Sequence, residues 1–110
     1  MSKRVFICSN YRATSQEQLD KNIQNAKDWS RRAILEGHLP YTPHLYSTTF
    51  LDDAIEEERT LGIQSGLRWL EECDELWVCS ETLTDGMIKE IKHALAHEIT
   101  IIYKIGVPVN

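Results

Sequence analysis

Apolar residues in this chain fall into short continuous runs separated by longer stretches of helical period. Val5 to Cys8 (VFIC) is unbroken, the pattern of a strand covered on both faces. Thr14 and Glu17 have the spacing of a capping box, and Leu19, Ile23, Ala26, Ala33 and Ile34 recur near helical period, so a helix is predicted from there to Gly37, which stops it. The stretch from His38 to Pro43 contains Pro40 and Pro43, which cannot donate ladder hydrogen bonds and suit only a short edge strand; a loop with Tyr46 and Phe50 follows. Asp52, Asp53 and Glu56 to Glu58 put negative charge where a helix macrodipole is positive, predicting a helix from about residue 54 to about Glu72 with Ile63, Leu67 and Leu70 as its stripe. Within it Gly62 and Gly66 lie one turn apart, a spacing that predicts close packing against the sheet or against a twin helix in a dimer. Glu75 to Cys79 reads as the second central strand. Gly86 to about His97 reads as a helix with Met87, Ile91, Ala94 and Leu95 inward, and Ile99 to Tyr103 as the last strand.

The order βαβαβαβ predicts a three-layer, flavodoxin-like or Rossmann-like α/β fold. Its parallel sheet has about four to five strands, with helices on both faces. At 110 residues the chain, 1–110, is expected to form a single domain, and 42% hydrophobic against 26% charged residues argues against disorder. A net charge of -5 opposes nucleic acid polymers as partners but leaves room for a small ligand with one phosphate, which local backbone N–H groups can hold. No run approaches the roughly 20 apolar residues of a membrane span, and the chain enters its first strand almost at once, so neither a membrane nor a signal peptide is expected. Cys8, Cys73 and Cys79 are odd in number without metal-ligand spacing, which predicts buried thiols and a reducing, cytoplasmic compartment.

In a doubly wound sheet ligands sit outside the carboxyl ends of the strands, where the order reverses. The residues that follow the strands there are Ser9, Asn10, Tyr11 and Arg12, then His44 and Tyr46, then Ser80, Thr82, Asp85 and Gly86. Arg12 suits a forked contact to phosphate or carboxylate, and Tyr11 or Tyr46 suits stacking on a base or sugar. The free N–H groups around Gly86 and Met87 can hold an anion with help from Ser80 or Thr82. Glu90, one turn inside that helix, is the residue best placed for chemistry in the cleft. Neither a GxGxxG nor a GxxxxGK[ST] motif occurs, so no dinucleotide or P-loop cofactor is implied. His93 and His97 have a spacing that can hold zinc, but no HExxH or evident third ligand accompanies them; the acidic group at 52–58 is explained by helix capping, and Cys8 with His44 as a thiol nucleophile has no support from spacing.

VFICSNYR (5–12), GHLPYTPHLY (37–46), FLDD (50–53), Glu58-Arg59 with Gly62, CDELWV (73–78) and DGMIKEI (85–91) together resemble the nucleoside 2-deoxyribosyltransferase-like superfamily, nearest to its short branch of uncharacterised bacterial and phage proteins. The resemblance spans nearly the whole chain. It implies a parallel α/β fold, often dimeric or larger, acting on the N-glycosidic bond of nucleosides or nucleotides. It also implies Glu90 of the Gly86-x-x-x-Glu90 segment as nucleophile, Asp74 assisting the departing base, and Ser9 to Arg12 as the first ligand loop. Asp85 lies five residues before Glu90 where the family's acidic residue lies six before, and His97-Glu98 stands where a glycine commonly precedes the last strand. Transfer to a second base or to water, and binding of a nucleotide or ADP-ribose-like ligand without cleavage, all remain open at this point.

Overall fold

The computed structural model describes residues 2–104. Four parallel strands, β1 (Arg4–Cys8), β2 (Leu39–Tyr41), β3 (Glu75–Val78) and β4 (Thr100–Tyr103), form one sheet in the order β2-β1-β3-β4. The helices are α1 (Gln16–Leu35), a short α2 (Pro43–Tyr46) continued by a 3-10 turn at Ser47–Thr49, α3 (Glu56–Leu70) and α4 (Asp85–Ala96). No helix among the described residues is long and apolar enough to cross a membrane.

Alternation along β1 and β3 assigns residues to two separate cores. Phe6, Cys8, Leu76 and Val78 point to the face covered by Leu70 of α3 and by Met87 and Ala94 of α4. Val5, Ile7 and Trp77 point to the opposite face, where Trp29 and Ala33 of α1 cover them. Both central strands are therefore buried on both sides, which is why their sequences are continuous apolar runs. The register Val5↔Glu75 to Cys8↔Val78 is pinned at its amino end by Asp74: its N–H donates to the Arg4 carbonyl at 2.8 Å and its carboxylate Oδ2 accepts from the Arg4 N–H at 2.8 Å. Beside it, burial alone would raise the Glu75 pKa, but the Lys3 ammonium at 2.8 Å and the Trp77 indole N–H at 3.0 Å outweigh burial and hold it below its ordinary value.

Several local expectations shift. The cap of α1 is Ser15, one residue after Thr14, with its Oγ accepting from the Gln18 N–H at 3.1 Å. Ile34 and Leu95, expected inward, are mostly exposed, because the inward stripes run through Ala26, Trp29 and Ala33 on α1 and through Met87 and Ala94 on α4. Pro43, fixed in φ, starts the short helix α2 where a loop is predicted. Gly62 and Gly66 face this insertion rather than the sheet: a Cβ at Gly62 would meet Leu51 at 3.5 Å and Ser47 at 3.6 Å, and one at Gly66 would meet Pro43 at 3.9 Å. These are ordinary contact distances, so what the two glycines supply is open volume between α3 and the 43–51 segment.

Helices α1 and α4 end in the same motif. Past α1, Gly37 at φ 89° lets the Gly37 and His38 N–H groups reach back to Ile34 and Ala33. Past α4, Glu98 takes the equivalent place at φ 57°, with Glu98 and Ile99 bonded to Leu95 and Ala94. A non-glycine residue in the left-handed region costs about 1–2 kcal/mol. Glu98→Gly is expected to raise unfolding stability by about 1 kcal/mol, less than the full strain because glycine loses more chain entropy on folding. Urea denaturation measures this, and an unchanged or lowered midpoint contradicts it.

Candidate active site at the carboxyl edge

The carboxyl ends of β1 and β3 are adjacent while their following segments diverge, toward α1 from β1 and toward α4 from β3. That divergence opens a cleft. A cavity of about 270 Å³ occupies it, with walls from the loop after β1 (Tyr11, Arg12), from His44 and Asp53, from Arg59 and Ile63 of α3, and from Thr84 to Met87 and Glu90 at the start of α4. A smaller pocket of about 60 Å³ adjoins it, sharing His44, Asp53, Arg59, Ile63 and Glu90 and extending over Gly62 and Gly66. The volume left by the two glycines thus lies next to Glu90.

Unsatisfied polar atoms concentrate at this edge. Among the described residues four buried side-chain oxygens lack a partner, and three of them are Ser9 Oγ, Asn10 Oδ1 and Glu90 Oε1; the fourth is the Tyr41 hydroxyl. Native proteins pair nearly all such groups, so a cluster of orphans beside a cavity marks a place where a ligand or water completes the bonding. Burial raises the Glu90 pKa from 4.5 to about 8, an effect only partly offset by the neighbouring Cys8 thiol. The residue as a whole stays partly exposed while Oε1 is enclosed, so the carboxyl group sits at the inner wall of the cavity rather than on its rim. Burial and the nearby Glu90 push the Cys8 thiol far up, and burial raises Cys73 and Cys79 to about 11 and about 12. None of the three is a thiolate at neutral pH.

Charge at the cleft mouth is ordered by Asp53. Its carboxylate receives Arg12 Nε at 3.1 Å on one oxygen and faces Arg59 Nε at 3.9 Å with the other. The two guanidiniums converge on this one carboxylate, while the Asp85 carboxylate stands across the cavity from them without an ion pair among the described residues. His44 Nε2 lies 2.9 Å from the Ser9 carbonyl, which can only accept, so Nε2 carries the proton. Burial lowers the His44 pKa despite this bond and despite Asp53, keeping the ring neutral. Tyr11 stacks on it with centroids 4.9 Å apart and planes 20° apart, and both residues line the cavity. At the start of α4, Thr84 Oγ1 accepts the Met87 N–H at 3.3 Å, while the N–H groups of Asp85 and Gly86 belong to the unpaired first turn.

Of the residues singled out in the sequence, Tyr11, Arg12, His44, Asp85, Gly86, Met87 and Glu90 share the cavity. Ser9 and Asn10 do not line it; they precede Tyr11 in the same loop, with Ser9 Oγ and Asn10 Oδ1 buried and unpartnered. Ser80 plays a positioning part, its Oγ accepting the Asn10 N–H at 3.1 Å, and Thr84 rather than Thr82 caps the helix. Tyr46 is turned away, packing edge-on against Tyr41 and Phe50. Asp74 is not brought to the site: it precedes β3 and lies at the opposite edge of the sheet, about 13 Å of strand from the cleft, where it secures Arg4. The sequence reading omitted Asp53, Arg59, Ile63 and Thr84 as site residues, although FLDD and Glu58-Arg59 stand among the segments that carry the resemblance.

A layered parallel sheet with a cleft that encloses one carboxyl group at its switch point defines the architecture; sequence comparison defines the family. The chain belongs to the family described as a domain of unknown function (DUF7768), whose model matches residues 3–104. No curated protein matches it. Among solved structures it is similar to a 2-deoxyribosyltransferase from the psychrotolerant bacterium Bacillus psychrosaccharolyticus, with a TM-score of 0.69 and 13% identity over 97% of this chain and 77% of that one. That protein is described as a suitable biocatalyst for the industrial synthesis of antiviral and antitumoral nucleosides. At this identity the likeness shows the shared flavodoxin-like fold.

The raised Glu90 pKa sets a stability profile. Between 4.5 and about 8 the unfolded chain has released this proton and the folded chain retains it. Folding then takes up a proton, so the group's contribution is fully present below 4.5 and is lost as pH rises to about 8. Glu90→Gln, which stays neutral, is expected to gain stability over the native protein progressively across this window and then level off. Thermal unfolding of both proteins from acid to mildly alkaline pH tests it; a difference that stays constant across the window refutes a neutral buried carboxyl.

Proposed function

We propose that the cavity binds a nucleoside or nucleotide and that Glu90 cleaves or transfers its N-glycosidic bond. The observation that carries this reading is the buried, partly orphaned Glu90 carboxyl group at the inner wall of a cleft at the sheet's switch point. The resemblance to nucleoside 2-deoxyribosyltransferases and the fold shared with one of them support the same chemistry. Exposed Leu61 and Trp69 on α3 are consistent with the homodimer that the resemblance implies.

In this mechanism a Glu90 oxygen bonds to C1′ of the sugar as the bond from C1′ to the base nitrogen breaks. The electron pair of that bond leaves with the base, and the carboxylate stabilises the oxocarbenium character of the transition state before collapsing to a sugar ester. Water or a second base then attacks C1′ and frees Glu90, giving hydrolysis or transfer. The departing base needs a proton. Asp53 is committed to Arg12 and Arg59, so the leaving-group role passes to Asp85, which lines the cavity and forms no ion pair among the described residues. Tyr11 offers a stacking face, and the Arg12 and Arg59 rim together with the first turn of α4 suits a phosphate on the sugar.

A second reading is binding without cleavage, favoured by one observation: in the free protein Glu90 is held largely protonated at neutral pH, the wrong state for a nucleophile. Base release from a panel of nucleosides and nucleoside monophosphates separates the two. The catalytic reading expects Glu90→Ala to lower release by at least about 100-fold, Asp85→Asn by about 10-fold or more, and Asp74→Asn to leave it unchanged if the variant folds. Because Glu90 must lose its proton to attack while Asp85 must hold one to pass to the base, kcat/KM is expected to follow a bell-shaped pH profile, with the Glu90 ionisation at about 8 setting one of its limbs. Nucleotide binding with no base released at any pH leaves the binding reading standing and removes the catalytic one.

A further inference from the structure

We propose that Glu71, His93 and His97 form a binding site for a divalent transition-metal ion, of the zinc, cobalt or nickel class, that ties the end of α3 to the end of α4. The site is independent of the cleft. Both helices run back from the carboxyl edge, so their ends meet at the amino edge of the sheet. Glu71 is the residue that caps α3 at its carboxyl end and His97 the one that caps α4. Each of these ends carries partial negative charge from its unpaired carbonyls, and their convergence favours a cation between them.

The three side chains converge through one hydrogen-bonded pair, His93 with Glu71, and one longer approach, His97 to the same carboxylate. One ligand atom from each of the three residues lies within 4.8 Å of the others. His93 Nε2 is 2.8 Å from Glu71 Oε2, and His97 Nε2 is 3.9 Å from the same oxygen. The 3.9 Å gap is too long for a hydrogen bond. His97 Nδ1 sits 2.9 Å from the His93 carbonyl, which can only accept, so Nδ1 carries a proton. In the neutral ring this leaves the Nε2 lone pair turned toward the carboxylate. An ion at about 2.0–2.2 Å from nitrogen and oxygen ligands spans that gap after small rotamer shifts, which also part the His93–Glu71 hydrogen bond by about half an ångström. A backbone carbonyl holding the second ring nitrogen is also how metal-ligating histidines are usually oriented. His93 and His97, four residues apart on one helix, stack with centroids 4.2 Å apart and present their Nε2 atoms on one side.

Two imidazoles and one carboxylate select zinc-like ions over magnesium or calcium, which prefer oxygen ligands alone. The partial exposure of all three residues leaves room for water to complete the coordination sphere. The sequence presented only the His93 and His97 spacing; the third ligand comes from a helix that ends more than twenty residues earlier.

Chelator-treated full-length protein titrated with Zn²⁺ by calorimetry, and with Co²⁺ by visible absorption, tests the site. One equivalent per chain is expected to bind, with a rise in Tm of several degrees that chelator reverses. His97→Gln and Glu71→Gln, both at exposed positions, are each expected to weaken binding by at least about tenfold, while His38→Gln leaves it unchanged. Absence of stoichiometric binding by either ion overturns the proposal. So does native affinity in both the His97→Gln and Glu71→Gln variants, which would place the ion at another side chain such as His44 or Cys73.

Discussion

The pairing of β1 with β3 is the constraint on which the rest of the molecule depends. These strands are neighbours in the sheet but far apart in sequence, and between them lie α1, β2, the 43–51 insertion and α3. Both are buried on both faces, so a slip of one residue would exchange the two cores, putting Phe6 where α1 packs and Ile7 where α3 and α4 pack. The Asp74 carboxylate on the Arg4 N–H guards the register at one end. At the other the Cys79 N–H donates to the Cys8 carbonyl at 2.8 Å. With the register fixed, the chain after β1 and the chain after β3 leave the same edge in different directions, and the cleft between them follows from topology.

The cleft is expensive in polar terms, and the cost is local. Asn10 is held through its backbone by Ser80, Tyr11 through its carbonyl by Asn22 at 3.0 Å, and Ser9 through its carbonyl by His44. The backbone of the first loop is therefore satisfied from three elements, while the side-chain oxygens of Ser9 and Asn10 are not. This is the pattern of a rigid frame presenting unfulfilled acceptors and donors. Glu90 completes it from α4. Its elevated pKa is the electrostatic result of enclosing a carboxyl group among Cys8, Ile63 and the glycine-lined pocket without an ion pair, even though Arg12 and Arg59 stand at the same cavity. Those guanidiniums are occupied by Asp53, which leaves the inner carboxyl group without an ion pair.

Strand order and layer arrangement were legible because double-sided burial writes continuous apolar runs into VFIC and ELWV, and because α1, α3 and α4 carry recognisable starts and stops. Element edges moved by a residue or two where two capping residues adjoin, as at Thr14 and Ser15. The site was legible in part: the segments after β1, β2 and β3 all contributed, since topology alone places them at the carboxyl edge. Asp74 was misleading because a carboxylate before a buried strand serves the strand pairing as readily as a reaction, and the sequence does not show which edge a motif's first residue faces. Asp53 and Arg59 were passed over because their acidic neighbourhood is sufficiently explained by the α3 macrodipole. The pairing with Arg12, 41 residues away, becomes visible only when the chain is folded.

Helix α4 joins the two polar features of the molecule. Its first turn and Glu90 belong to the carboxyl-edge cleft, and Glu90, His93 and His97 recur at intervals of three and four, along one stripe that faces α3. The α3 residues opposite that stripe change accordingly, from Gly62, Ile63 and Gly66 beside Glu90 to Glu71 beside the histidines. A small-residue, apolar stretch of α3 isolates a carboxyl group and raises its pKa, while the charged end of the same helix pairs with imidazoles. The two helices therefore meet along a seam whose polarity is graded from one sheet edge to the other. At its far end the seam is bridged by the contact between Glu71 and His93.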